Sequence, residues 1–306
     1  MENYSKFVDA IKTHYTENES IISFYLELIG EIDEKGLLDS NFISQMDSYD
    51  KTLQRLSELM MFKYCYVPKT GNIISQDKGP DITFSIEESK VNIEVITPIK
   101  VTQLKSSVAE FVITPDPLSN KKQSVEQFIP EMSSLHARIT SSLKSKSEIY
   151  EGYISSGVVN RNDINIVCIN LGFIKNHEFI DYPYLKNIFK KQEVIVIDLD
   201  EQKNVSHQVD DYTFSVTKET GVTFQTSYFD NEQYPHIDGV WIISCNEKNI
   251  NNIKKKKYES FERCKNMLYL NGGNKSLESI ISVLEINKPE TDAFTNYIRT
   301  HGKLPN

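Results

Sequence analysis

Two acids on one hairpin and a lysine inside an apolar helix stripe are the residues of this 306-residue chain best placed to do chemistry. The acids are Asp81, in Gly79-Pro80-Asp81, and Glu94, in Ile93-Glu94-Val95. Carboxylate oxygens are the hard ligands that Mg2+ and Mn2+ take, and an ion that keeps several waters needs only two carboxylates and a carbonyl from the protein. Such an ion polarises a phosphoryl oxygen and activates water, which is chemistry suited to cutting phosphodiesters.

The elements that must position these acids are two short strands. Ile82, Phe84 and Ile86 alternate with Asp81, Thr83 and Ser85, and Val91, Ile93 and Val95 alternate with Asn92, Glu94 and Ile96. Period-two alternation over such short runs predicts half-buried strands with one polar face. A turn centred on Glu88-Ser89 sets Asp81 opposite Ile96 and Thr83 opposite Glu94 and collects the apolar residues, Ile96 apart, on one face. Asp81 and Glu94 are then diagonal neighbours, roughly 7–8 Å apart at the backbone. By spacing alone the two acids could equally be solvated surface residues, because most Asp and Glu side chains are exposed.

The order of elements narrows the choice. A helix carrying Glu58, in Gln54-Arg55-Leu56-Ser57-Glu58, precedes the Gly-Pro-Asp strand, the Ile-Glu-Val strand and a helix with several basic residues. Over roughly residues 50 to 245 this order resembles the PD-(D/E)xK nuclease superfamily, the restriction-endonuclease-like fold. The resemblance implies a mixed β-sheet flanked by helices, with Asp81 and Glu94 as ligands of Mg2+ or Mn2+ and the Val95 carbonyl as a third. Glu58 matches the acid often found on the first core helix of that family, although a surface helix glutamate would look the same. The departure is Ile96, which stands where the family has the lysine that positions the attacking water and stabilises charge at the phosphate. Some relatives supply that cation from a neighbouring helix.

The neighbouring helix here spans Leu135 to Tyr153. At about 100° per residue, Leu135, Ile139, Leu143, Tyr150 and Tyr153 form one stripe. Lys146 falls in the middle of it, whereas Lys144 projects to water. A buried ammonium needs a partner, and two acids would supply one; the alternative is a stem that covers the core while the head reaches solvent. Arg138 lies on the flank of the stripe, and its guanidinium suits a phosphate contact.

Composition sets the wider frame. Hydrophobic content of 39% and charged content of 25% fit a soluble globular protein. No run of about 18 apolar residues is present, so no membrane span is expected. The first residues lack the basic-then-apolar pattern of a secretory signal. Four cysteines show no CxxC spacing, and three of them sit in or beside apolar runs and read as buried thiols, which suits a reducing cytoplasm. The net charge of −9 disfavours a general nucleic-acid binder but not a nuclease. Basic residues concentrate at Lys254–Lys257, which reads as a solvated face or a patch that follows phosphates. The histidines show no metal spacing, and neither a phosphate loop nor a serine-hydrolase elbow is present.

Along the chain, residues 1–50 read as a helical region, 51–245 as an α/β core, and 246–306 as a helical extension. Within the last, helix is expected from Ser260, then a turn at 271–273 and a helix at Leu277–Ile286. A short strand starts at Gly71–Ile74. Residues 99–133 show no clear period and suit a lid or a mobile loop. Ile164–Leu171 reads as a central strand, Val194–Leu199 as another, Tyr212–Val216 and Val222–Tyr228 as a hairpin turning near Gly221, and Ile237–Cys245 as the strand that closes the sheet. The expected function is a metal-dependent nuclease acting on DNA, in restriction, repair or defence, with a homodimer as one arrangement for cutting two strands. The alternative is an inactive member of the same fold that binds nucleic acid or a protein, since loss of the lysine at position 96 is how such a site would decay.

Overall fold

The computed structural model describes residues 4–15, 18–66, 70–75, 77–98, 106–113, 123–130, 132–174, 177, 180, 182–199, 205–217, 221–249, 264–272, 277–287 and 300–301. The chain is a mixed α/β protein with a helical N-terminal region and a six-stranded mixed sheet flanked by helices.

Three helices open the chain: α1 (Ser5–His14), α2 (Glu19–Glu34) and α3 (Tyr49–Cys65). The four-residue spacing of Phe7 and Ile11 buries both on α1. Asn18 caps α2 by accepting from the Ile21 N–H at 3.3 Å, and Ser48 caps α3 by accepting from the Lys51 N–H at 3.4 Å. These side chains satisfy donors that the first helical turn leaves without intrahelical partners.

The sheet runs in the order β1 (Gly71–Ile74), β2 (Ile82–Ile86), β3 (Ser89–Ile96), β6 (Ile164–Asn170), β11 (Gly239–Ile243) and β12 (Asn266–Leu270). The β3–β6 and β6–β11 pairs are parallel, and the outer pairs are antiparallel. Val95, Cys168 and Trp241 line up across β3, β6 and β11 on one face. On that side the α3 residue Tyr64 meets Trp241 edge to face at 5.3 Å between ring centroids. Glu94, Val167 and Val240 line up on the opposite face. Helix α4 (Met132–Ser156) covers it, and its Tyr150 hydroxyl donates to the carbonyls of Asn92 at 3.1 Å and Ile166 at 2.8 Å. The central strands are therefore buried on both faces, as parallel strands covered by helices usually are.

Several expectations change. The β2–β3 register pairs Ile82 with Ile93 and Ile86 with Ser89, a shift of two residues from the pairing read off the sequence. Alternation fixes which side chains share a face but is blind to a two-residue slip. The turn decides: Glu87 takes φ 54°, which lets Glu87-Glu88 alone connect the strands. The polar face of the hairpin is not half-buried surface, since Thr83, Asn92 and Glu94 are all buried.

Residues 106–113 and 123–130 form a two-stranded antiparallel ladder, β4 (Ser106–Ile113) with β5 (Gln123–Pro130), where no regular element was expected. The intervening residues 114–122 lie outside the described set. Strand β7 (Gln192–Leu199) includes the expected segment but pairs with β8 (Val205–Tyr212), whose mixed polar sequence carries little strand signal. The Gly221 hairpin is present, shorter than expected, as β9 (Ser215–Thr217) with β10 (Thr223–Gln225), and Gly221 has φ 79°. Strand β11 does not close the sheet: β12 pairs beyond it, at residues expected to be helical. Helix α6 (Glu278–Val283) lies within the expected final helix, and α5 (Tyr182–Phe189) precedes β7. The Lys254–Lys257 run lies outside the described residues. No helix among the described residues is long and apolar enough to cross a membrane.

Candidate active site

The β2 ladder ends at Ile82↔Ile93, yet β3 continues to Ile96. Beyond that point this edge of β3 carries backbone groups that no strand among the described residues satisfies, and two side chains take the strand's place. Asp81 Oδ2 accepts from the Val95 N–H at 2.7 Å. The Gln54 carboxamide, from α3, accepts from the Thr97 N–H through Oε1 at 2.9 Å and donates through Nε2 to the Val95 carbonyl at 2.9 Å. The same Nε2 reaches Glu58 Oε1 at 3.0 Å. Buried backbone donors and acceptors require partners, and here Asp81 and Gln54 supply them at Val95 and Thr97, beside Glu94.

Lys146 reaches this point from α4. Its Nζ donates to Glu94 Oε2 and lies 4.0 Å from Asp81 Oδ2. The Lys146 side chain is 21% exposed, so the ammonium faces the acids and not the solvent, as Lys144 does. The alternative of a head reaching solvent is not what the geometry displays. Ile96, at the position where the resemblance calls for lysine, is buried at 6% exposure and contributes only apolar packing.

Electrostatics follow from burial and crowding of acids. Burial first, and then the charge of Asp81, push Glu94 up to about 7 in spite of Lys146. Burial and Asp81 likewise push Glu58 up to about 8, against the attraction of Arg55. Burial works against the Lys146 ammonium, but the charges of Asp81 and Glu94 outweigh it and raise its pKa. Arg55 itself is shared between Glu58 and Asp39, the latter at 3.3 Å. Acids thus outnumber cations here, and a further cation would be welcome.

The donor set fits a hard divalent ion. Glu94 Oε1 is buried and has no hydrogen-bond partner of good geometry among the described residues. The Tyr153 hydroxyl, close enough to be affected by Glu94, directs its proton to the Gly79 carbonyl at 2.8 Å. Among the described residues no three His, Cys, Asp or Glu side chains converge on a point. Asp81 and Glu94 are the carboxylates here that could hold such an ion; Asp81 also binds the Val95 backbone, and Glu58 is linked to the Val95 carbonyl through Gln54.

Of the residues singled out from sequence, the structure brings together Asp81, Glu94, Val95, Lys146 and, at one remove, Glu58. Arg138 is half-buried on α4 eight residues before Lys146, about two turns or 12 Å along the helix, and belongs to a different stretch of its surface. Gln54 and Arg55 were not anticipated. The signal that could have found Gln54 is its four-residue spacing from Glu58, which places both on one side of the helix. No protein-family model, curated protein or solved structure matches this chain.

Proposed function

We propose that this chain is a Mg2+- or Mn2+-dependent nuclease that hydrolyses phosphodiester bonds in DNA, a distant member of the PD-(D/E)xK superfamily with its lysine moved to a helix. The observation that carries the reading is Lys146, a lysine delivered by α4 to both acids of the hairpin. The Gly-Pro-Asp and Ile-Glu-Val segments, the mixed sheet and the helix carrying Glu58 support it. So does the buried Glu94 Oε1, which has no hydrogen-bond partner of good geometry among the described residues.

In this reading Asp81, Glu94 and the Val95 carbonyl hold the ion. When bound, it would polarise a phosphoryl oxygen and make water a stronger nucleophile. Lys146 holds its charge because it is paired, so it can orient a water molecule and stabilise negative charge that develops at the phosphate. Gln54 fixes the Val95 carbonyl, and Arg55 keeps Glu58 in place. With Glu94 raised to about 7, ion binding competes with a proton, so activity should rise with pH through the neutral range.

The test is incubation of plasmid DNA, linear DNA and single-stranded RNA with the purified protein in Mg2+, Mn2+ or EDTA. The expected result is cleavage of DNA that requires the metal and is lost in Asp81→Ala. Cleavage that survives EDTA or Asp81→Ala would overturn the metal site. Binding of DNA without cleavage under every condition would transfer the site to the inactive, binding form of the fold, for which Ile96 is the motivating residue.

A further inference from the structure

We propose that Cys245 and Cys264 form a reversible cross-strand disulfide, which makes the β11–β12 edge a thiol–disulfide site reactive towards low-molecular-weight disulfides such as oxidised glutathione. The inference is independent of the Asp81–Glu94 reading and rests on strand register.

Strands β11 and β12 are antiparallel and pair Ile243 with Asn266. The ladder continues past the last paired residues. The Ser244 N–H donates to the Lys265 carbonyl at 2.8 Å, and the Lys265 N–H donates to Ser244 Oγ at 3.2 Å. One step further in the same register, Cys245 stands opposite Cys264. Because Ser244 and Lys265 are joined by the backbone bond, the cysteines occupy the next, non-hydrogen-bonded position. Residues at such a position have Cα atoms about 4.5 Å apart, with their side chains close together. That spacing falls inside the range of roughly 4.4–6.8 Å that a disulfide bridges without moving the backbone.

The local structure gives the two sulfurs different tasks. Cys245 is fully buried, and its backbone is fixed from both sides. Asn170 Nδ2 donates to its carbonyl and Asn170 Oδ1 accepts from its N–H, each at 2.9 Å. Gly172 packs against it so closely that a Cβ there would lie 2.5 Å from the Cys245 carbonyl oxygen. Cys264 is partly exposed and reachable from solvent. The Cys264 thiolate attacks one sulfur of the small disulfide, forming a mixed disulfide and releasing one thiolate. The Cys245 thiol then gives up its proton and displaces the second small thiol, leaving Cys245–Cys264 oxidised and two small thiols reduced. The bond closes a loop of chain, from 245 to 264, that carries Lys248, Lys254–Lys257 and Arg263. Cys65 and Cys168 are both buried.

The experiment uses the reduced full-length protein, oxidised glutathione under native conditions, alkylation of remaining thiols, and peptide mapping by mass spectrometry. The expected product is lighter by two hydrogens, contains a peptide pair joined through Cys245 and Cys264, retains no glutathione, and returns to the starting mass with dithiothreitol. Cys245→Ser is expected to stop with glutathione on Cys264, and Cys264→Ser to take up none. Wild-type protein that keeps glutathione on Cys264, links Cys264 to another cysteine, or stays fully reduced would overturn the proposal, and this outcome is read without any variant having to fold.

Discussion

On helix α4 the ionisable side chains Lys146 and His136 both turn inward, and they meet opposite fates. Lys146 finds Glu94 and Asp81, and its pKa rises. His136, ten residues earlier, is fully buried, has no hydrogen-bond partner for either ring nitrogen among the described residues, and is pushed down by burial to about 4. It stacks on Tyr184 at 4.9 Å and meets Phe214 edge-on at 5.7 Å, so it behaves as an aromatic core residue. Burial alone makes a titratable group neutral; a buried group that stays charged does so because specific acids are built around it. That contrast separates a packing residue from a functional candidate on one helix.

The largest expected effect on stability comes from breaking the charged end. Lys146→Met leaves Glu94 buried without its cation and should destabilise the fold by about 3 kcal/mol at pH 8. Adding Glu94→Gln should restore most of that loss, since an intact neutral pair avoids the uncompensated charge. Urea unfolding of the wild type, the single variant and the double variant checks both statements.

The support beneath the acids comes next. Gln54→Ala removes the donor to the Val95 carbonyl and the acceptor for the Thr97 N–H. Mn2+ affinity, measured by paramagnetic resonance, should weaken about 10–100-fold, the usual cost of losing a group that orients a metal ligand. Amide exchange at Thr97 should accelerate in the same variant with no metal present, which separates loss of the strand edge from failure of the metal site.

At the neutral end the expected change is smaller and opposite in sign. His136→Phe replaces an unsatisfied imidazole between two rings and should raise stability by about 1 kcal/mol. A loss of several kcal/mol on denaturation would show that the imidazole has a partner after all.

The pH dependence is the finest distinction. Glu94 and Glu58 keep their protons in the folded protein up to about 7 and 8, whereas their unfolded forms release them near 4.5. The folded state therefore binds more protons between these values, and metal-free stability should fall as pH rises from about 5 to 8. A fall of a few degrees in Tm over that range, reduced in Glu94→Gln, is the expected result of a thermal melt series.

Much of this site could be read in advance because it depends on periods. Alternation grouped Asp81 with Glu94, and helical projection set Lys146 inward and Lys144 outward. What alternation could not supply was the exact partner of each residue, because a two-residue slip keeps every side chain on its face. Gln54 escaped notice because its part is to satisfy the backbone beyond the end of a ladder, and its four-residue spacing from Glu58 marks only a shared side of the helix. Burial of the polar hairpin face was hidden by the polarity of Thr83, Asn92 and Glu94, which are paired inside and not solvated. Strands β8 and β12 were missed for a related reason. Backbone pairing with a neighbour holds them, and their own sequences lack a clean alternation.

The most direct measurement is plasmid cleavage in Mn2+ by the wild type, Lys146→Ala and Lys144→Ala side by side. The two lysines share a helix and a charge and differ in whether they face the acids. Lys144→Ala should cut like the wild type, and Lys146→Ala should be slower by about 10²–10³-fold. Equal cleavage by all three proteins would contradict the assignment of Lys146 as the lysine of the site.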